Sequence, residues 1–351
     1  MVYGSCIFVQ GFRLKFPGSL ENGKINFCCA ARNPRFGTFK DTPEETFRHL
    51  MELRDDVIAE SKRFGVDGNV GKENNERIHT KMCATNVCGY FEAKEWESSN
   101  LITDIETNTY PSYCQIACCY CRCKQQGIPN RLNFNKSEHF KWYERLFNTI
   151  DYAKNNGLIS DNVLWKISSG EITVHPYRDK FIELVGDSAA KWYTNCCVFD
   201  EAIAANLAIN PRSKLFFSID SGTAETWHKV KRVNNFSEML KNLTMYFKST
   251  TQPNQILLKY IVLPGINDNV SDYQGFIEIA KSVNTTHVEI APDHRTKHDA
   301  VSRDRNISAG ADLLAFLKQN DFSVYFGLYL QDAQKELLRI SDEILSSNKH
   351  L

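Results

Sequence analysis

From about residue 101, short apolar runs alternate with longer segments whose apolar residues recur at helical spacing. The runs are ITDIETN, LWKISSG, KWYTNC, KLFFSID, ILLKYIVLP, HVEIAP and FSVYFGLYL. The helical segments that follow them are 137–155, 176–187, 200–209, 223–248, 270–283, 307–319 and 331–346. Repeated strand–helix units predict a parallel sheet, either a full or partial barrel or an open doubly wound sheet.

The segment before this series has a different pattern. Residues 42–64 predict one helix, because a threonine at the cap position precedes a proline and early glutamates, with apolar residues at helical spacing. The glycine- and asparagine-rich stretch 65–75 predicts a loop.

Composition narrows the class of protein. The chain has 351 residues, 42% of them apolar, and its 42 Lys and Arg balance 42 Asp and Glu, so a large core is expected and no nucleic-acid partner is indicated. The sequence contains no run of eighteen apolar residues that could span a membrane, and its N-terminal apolar stretch is too short for a signal peptide. We therefore expect a cytoplasmic protein. In a reducing compartment its twelve cysteines favour metal binding or redox chemistry over disulfides.

The densest cysteine group has the spacing C-x3-C-x2-C, at Cys114, Cys118 and Cys121. One loop with this spacing can wrap three thiolates around a cubane cluster and leave the fourth iron without a protein ligand. Cys119 and Cys123 allow other pairings, and C-x2-C between Cys118 and Cys121 also occurs in zinc knuckles. A zinc site therefore stays an alternative.

The group follows the first predicted strand, and four further motifs follow the next strands: SSGE, TNCC, SIDS and LPGIND. Ligands of parallel α/β folds bind at the carboxyl ends of the strands. The sequence therefore predicts one site at this edge.

The triplet resembles the signature of the radical SAM superfamily, in which an aromatic residue often stands where Tyr120 does, and the resemblance covers about residues 101–330. It implies a partial parallel (β/α)6 barrel whose [4Fe-4S] cluster binds S-adenosylmethionine (SAM) at the open iron. One electron from the cluster would then yield a 5′-deoxyadenosyl radical that abstracts hydrogen. Cys119 and Cys123 would not be ligands.

SSGE resembles the family's Gly-Gly-Glu element. The resemblance implies that Ser169, Gly170 and Glu171 accept hydrogen bonds from the SAM ammonium. The alternative is an ordinary strand-to-helix turn.

The SIDS motif and the following HKVKRVNNF resemble two later elements of the family. The resemblance implies that Ser218, near Asp220, contacts the ribose or carboxylate of SAM and that Arg232 pairs with the carboxylate. Val233 stands where glycine is usual, and a solvated surface role for Arg232 is the alternative.

Other candidates have weaker support. Val262 and Ile290 lie where the family frames adenine, but such residues are more often ordinary core positions. Cys196 and Cys197 could donate hydrogen to a substrate radical or be inert buried thiols. Four histidines have no recognised ligand spacing, so surface or core roles are expected: His175, His287, His294 and His298.

The N-terminal cysteines resemble a twitch or SPASM auxiliary-cluster domain. Gly23 to Cys28 has the form G-x4-C, and the resemblance implies a second [4Fe-4S] cluster on Cys6, Cys28, Cys83 and Cys88. Cys29 is the alternative to Cys28, the last pair is C-x4-C rather than C-x2-C, and a structural zinc site is the competing interpretation.

The predicted organisation is an auxiliary domain at 1–98, a radical SAM barrel at 99–330 and a C-terminal helix at 331–351. The implied activity is hydrogen abstraction from a peptide or small molecule, with flavodoxin or ferredoxin as reductant. A radical methyltransferase or isomerase and a non-enzymatic zinc or redox-sensing protein are the alternatives.

Overall fold

The structure, a computed structural model, describes residues 2–17, 24–27, 37–64, 91–108, 113–121, 136–168, 170–293, 300–327 and 333–348. In chain order its strands are β1 (Val2–Cys6), β2 (Arg13–Pro17), β3 (Lys24–Ile25), β4 (Gly37–Thr38), β5 (Phe91–Glu95), β6 (Ile102–Asn108), β7 (Ile159–Ser168), β8 (Ala189–Thr194), β9 (Lys214–Ser218), β10 (Ile256–Val262), β11 (His287–Pro292) and β12 (Ser323–Phe326).

In the C-terminal part of the chain, from β8 onward, each strand is followed in sequence by one or two α-helices. The α-helices are α1 (Ile7–Gln10), α2 (Pro43–Phe64), α3 (Lys136–Asn155), α4 (Arg178–Val185), α5 (Glu201–Ile209), α6 (Ala224–Lys231), α7 (Phe236–Lys248), α8 (Val270–Ser282), α9 (Ala300–Gln319) and α10 (Gln334–Asn348), and a 3-10 turn spans Ile172–Val174. None of these helices is long and apolar enough to cross a membrane.

The chain divides into two compact units. Unit 1 comprises Met1–Pro111, Asn133–Gly170 and Glu183–Ala190, and unit 2 comprises Ser112–Leu132, Glu171–Ile182 and Lys191–Leu351. The predicted domain boundaries, 1–98, 99–330 and 331–351, remain predictions.

Unit 1 contains the parallel run β7-β6-β2 and the antiparallel pairs β1–β5 and β3–β4. Its helix α2 is fixed to the N-terminal segment by Arg54, which is buried and donates to the carbonyls of Val9 at 2.8 Å, Gln10 at 2.9 Å and Ser99 at 2.7 Å. Because a guanidinium presents five donors in a rigid fork, one side chain can serve three separate carbonyls.

Unit 2 contains the parallel run β8-β9-β10-β11-β12, in which neighbours in space are neighbours in sequence. Each new strand is added at the same edge, which is the order of a (β/α) barrel, whereas a doubly wound sheet reverses order at a switch point. The α/β fold with parallel strands is confirmed.

The helical segment predicted at 223–248 is divided. α6 ends at Lys231 because Arg232 takes the left-handed conformation, with φ 62°, and α7 begins at Phe236. β2 was not foreseen as a parallel strand, since its alternation of charged and apolar residues resembles a surface strand.

Candidate functional site

The cysteine loop lies in unit 2 and is fixed to the end of α6 through its backbone. The Cys119 N–H donates to the Val230 carbonyl at 2.8 Å, and the Ala117 N–H donates to the Lys231 carbonyl at 3.4 Å. The Cys121 N–H donates to the Cys118 carbonyl at 3.0 Å and closes a turn. Backbone hydrogen bonds therefore hold the loop, and its described cysteines form no disulfide.

Cys119 differs from its neighbours in its surroundings. It packs with Tyr120 against an apolar cluster made by four buried side chains, Val230, Ile261, Leu263 and Ala291. A thiol in such surroundings behaves as a small hydrophobe. This placement favours the predicted ligand set, which omits Cys119.

Cys114, Cys118 and Cys121 are half-buried and form no disulfide with another described cysteine. Burial raises the pKa of Cys114 to about 12, although the side chain of Asn195 donates to its sulfur at 3.6 Å. A thiol with so high a pKa becomes a thiolate when a metal replaces its proton.

An iron–sulfur cluster fits this donor set. Among the described residues no three His, Cys, Asp or Glu side chains surround a point that could hold a single ion. In a cubane each thiolate binds a different iron, so three soft sulfur donors on one loop need not converge on one point.

Glu171 is completely buried and hydrogen-bonded at the turn after β7. Its carboxylate accepts from the Asn195 N–H at 2.6 Å, from the Thr194 hydroxyl at 2.9 Å, and from the N–H and hydroxyl of Thr173 at 3.2 and 3.0 Å. Burial raises the pKa of Glu171, and these bonds oppose the shift. Three of these bonds go to Oε1 and one to Oε2, so Oε2 keeps acceptor capacity for a further donor such as the SAM ammonium.

A buried ion pair connects the cysteine loop to the end of β9. The Lys231 ammonium donates to Asp220 Oδ2 at 2.5 Å, to the Tyr120 hydroxyl at 2.7 Å and to the Ser218 carbonyl at 2.6 Å. The Tyr120 hydroxyl also donates to Asp220 Oδ2 at 2.5 Å. Burial lowers the pKa of Lys231, but Asp220, Cys118 and Cys197 together outweigh it, so the net pKa is raised.

Asp220 also connects two strands. It adopts a left-handed conformation, with φ 56°, and its Oδ1 accepts from the Ile261 N–H of β10 at 2.6 Å. Lys231 was missed by sequence reasoning, because a lysine one residue before a predicted functional arginine looks like surface charge. Lys231 lies four residues after the buried Trp227, and this helical spacing is the signal that could have found it.

Arg232, the predicted partner of the SAM carboxylate, is exposed just after α6. Its left-handed conformation is one that glycine adopts most easily. α6 therefore ends at Arg232 in a backbone conformation typical of a glycine that follows a helix.

Helix α6 is fixed at its other end by α8. Asp272 accepts from the N–H groups of Gly222 at 2.9 Å and Thr223 at 3.1 Å and from the Thr226 hydroxyl at 2.7 Å. A methyl group at Gly275 would lie 2.1 Å from the Gly222 carbonyl oxygen. The two glycines therefore permit the close approach that holds α6 in place.

The remaining predicted residues are distributed as follows. Val262 and Ile290 are wholly buried strand residues, Gly170 has φ 67°, and Cys6 is buried at the end of β1 in unit 1. Outside the described residues lie Ser169, Cys28, Cys29, Cys83, Cys88, Cys123, His294 and His298.

Cys196 and Cys197 differ in exposure. Cys196 is fully buried and its pKa is raised by burial, whereas Cys197 is half-buried and burial raises its pKa to about 11. Their roles stay predictions. His175 is a buried histidine whose pKa burial lowers to about 4, and it accepts from the Tyr177 N–H at 3.1 Å.

Comparisons with known proteins give matches only among solved structures. No family model matches the sequence, and no curated protein sequence does either. The chain is similar to Streptococcus suis SuiB bound to its precursor peptide SuiA, with a TM-score of 0.46 and 14% identity over 84% of this chain and 65% of that one. The SuiB structure bound to S-adenosylmethionine gives 0.42 and 12% over 81% and 56%.

A third structure is described as a radical SAM methyltransferase from Sphaerobacter thermophilus. Its TM-score is 0.40 at 12% identity, over 61% of this chain and 63% of that one. The neighbours include a radical SAM enzyme. The chain spans less than two thirds of each of these three structures, so function has to be argued from its own residues.

Proposed function

We propose that unit 2 is a radical SAM site, with Cys114, Cys118 and Cys121 as ligands of a [4Fe-4S] cluster. The observation that carries the proposal is the cysteine loop held at the ends of β9 and β10 by the buried Lys231–Asp220 pair. Such a loop is preorganised to receive a cluster at the edge where parallel α/β folds bind ligands. The cluster, when bound, supplies the electron for reductive cleavage of SAM.

In this proposal the chain's polar residues divide into those that position the loop and those that can reach SAM. The three N–H groups of the Lys231 ammonium are all used, so this residue holds Tyr120 rather than a ligand. Arg232 is exposed and keeps its proposed role with the SAM carboxylate. Glu171 fixes Asn195 and keeps its proposed role with the SAM ammonium.

We place the substrate, a peptide or small molecule, on the face of β8–β12 opposite the apolar core of unit 2. Tyr193 stacks on Phe216 with centroids 4.8 Å apart, Lys259 pairs with Glu289 at 2.9 Å, and Tyr325 is exposed. Parallel sheets are normally covered by apolar residues on both faces. A face with aromatic, cationic and anionic groups suits a substrate that has both rings and charges.

We propose that the N-terminal cysteines hold the auxiliary [4Fe-4S] cluster, with Cys28, Cys83 and Cys88 joining Cys6. The support is the cysteine pattern alone. The proposed reaction class is oxidation or bond formation on the substrate after hydrogen abstraction, with flavodoxin or ferredoxin as the source of electrons.

Anaerobic reconstitution with ligand variants tests the cluster assignment. Alanine at Cys114, Cys118 or Cys121 is expected to remove the iron and sulfide of this site. Cys119→Ala is the matched control, because Cys119 lies between the ligands but packs against the apolar cluster. Iron loss in Cys119→Ala equal to that of Cys118→Ala would contradict the ligand set, and a colourless protein with zinc would contradict the function.

A further inference from the structure

Asn195 follows β8 and contacts several parts of the site at once. Its backbone N–H donates to Glu171 at 2.6 Å, and its side-chain Oδ1 accepts from Gln115 Nε2 at 3.1 Å and from the Cys197 N–H at 3.0 Å. Its Nδ2 lies 3.6 Å from Cys114 Sγ and 3.3 Å from Gln115 Oε1.

The orientation of this amide is determined by its partners. The Cys197 backbone N–H can only donate, so the Asn195 atom that faces it must be the oxygen. The nitrogen then necessarily faces Cys114. The carboxylate of Glu171 holds the backbone of Asn195 in place, and that carboxylate is itself completely buried.

A hydrogen bond to a ligand sulfur changes the electronic properties of an iron–sulfur cluster. Hydrogen bonds to the sulfurs are among the factors that set its reduction potential. Reduction adds one negative charge to the cluster and its thiolates, so an N–H donor at a sulfur stabilises the reduced form more than the oxidised form.

We infer that Asn195 is a positioning residue that raises the reduction potential of the cluster by donating to Cys114 Sγ. The inference rests on the proposed function. The affected step is the uptake of one electron by the oxidised cluster from an external one-electron donor, with no proton transferred. A higher potential makes that electron easier to supply.

The test is an EPR-monitored redox titration of the reconstituted full chain. Asn195→Leu has similar volume and no donor, and is expected to show a more negative midpoint. At a fixed potential the ratio of reduced to oxidised cluster should fall at least tenfold, which corresponds to 59 mV for one electron. Asn195→Asp keeps the acceptor for Cys197 and places a carboxylate near the sulfur, so its midpoint should be lower still.

Asn242→Leu is the matched control. Asn242 is also a buried asparagine and donates to the Cys196 carbonyl of the same loop at 3.0 Å, but this bond goes to backbone and not to sulfur. Its midpoint should equal that of the unaltered protein.

The possible failures are distinguishable. No cluster at Cys114, Cys118 and Cys121 in the unaltered protein would overturn the proposed function. Cluster-loaded Asn195→Leu or Asn195→Asp with an unchanged midpoint would overturn only this inference. Loss of the cluster in both, with its retention in Asn242→Leu, would show a purely structural role and would also overturn it.

Discussion

The ion pair between Lys231 and Asp220 offers a quantitative test of how the cysteine loop is held. The side chains are 2% and 0% exposed, with Nζ and Oδ2 2.5 Å apart. Lys231→Met removes the cation and leaves the Asp220 charge buried without its partner. Breaking a buried pair in this way costs about 3–5 kcal/mol, a large part of the roughly 5–15 kcal/mol that stabilises a typical protein.

A second variant separates charge from packing. Asp220→Asn can keep the acceptor for the Ile261 N–H, and asparagine tolerates the left-handed conformation at this position. The double variant Lys231→Met/Asp220→Asn buries no charge, so its loss of stability should be smaller than the sum of the two single losses.

The same helix provides the control. Lys229 pairs with Glu225 at 2.7 Å, one helical turn apart, but both side chains are exposed. Lys229→Met should therefore change the free energy of unfolding very little. Urea denaturation followed by tryptophan fluorescence measures all four variants. A loss in Lys231→Met no larger than that in Lys229→Met would refute the assigned role of the buried pair.

Three further predictions address other parts of the chain. Burial lowers the pKa of His175 in the folded protein to about 4, whereas an unfolded histidine has a pKa near 6.5. As the pH falls from about 6.5 to about 4, the free energy of unfolding should therefore decrease by up to about 3 kcal/mol. His175→Phe should lack this part of the pH dependence when stability is measured by urea denaturation. Gly275→Ala should lower the melting temperature, because its methyl group would meet the Gly222 carbonyl. This clash should outweigh the helix preference of alanine over glycine, which is about 1 kcal/mol. A higher melting temperature would refute the close approach. If both sites hold four-iron clusters, alanine at Cys83 and Cys88 should remove about half of the bound iron, and unchanged iron would exclude the auxiliary cluster at these residues.

The alternation of strands and helices in unit 2 can be predicted from the sequence, because these elements have local patterns of apolar residues. β9, β10 and β11 begin at Lys214, Ile256 and His287, where the apolar runs begin. β2 could not be predicted in this way, because its charged residues interrupt any apolar run. Its Arg13 and Lys15 are largely buried through ion pairs with Glu106 of β6, which are tertiary contacts.

The sequence predicts the cysteines of the site but not the residues that hold the cysteine loop in place. The spacing of Cys114, Cys118 and Cys121 is local, whereas the contacts of Asn195 with Cys114 and of Lys231 with Tyr120 join residues that are 81 and 111 positions apart in sequence. Arg232 attracted attention as the more familiar anion-binding side chain. The structure instead buries the lysine before it, at the last position of α6, where its ammonium donates to Asp220.

Cleavage of S-adenosylmethionine by the reconstituted protein decides whether the cysteine loop is a radical SAM site. The protein is mixed anaerobically with SAM and dithionite, and 5′-deoxyadenosine is quantified by chromatography beside Cys118→Ala and Cys119→Ala. We predict that the unaltered protein and Cys119→Ala form the product, while Cys118→Ala forms none. An unaltered protein that carries a full cluster at the triplet and yields no 5′-deoxyadenosine would contradict this prediction.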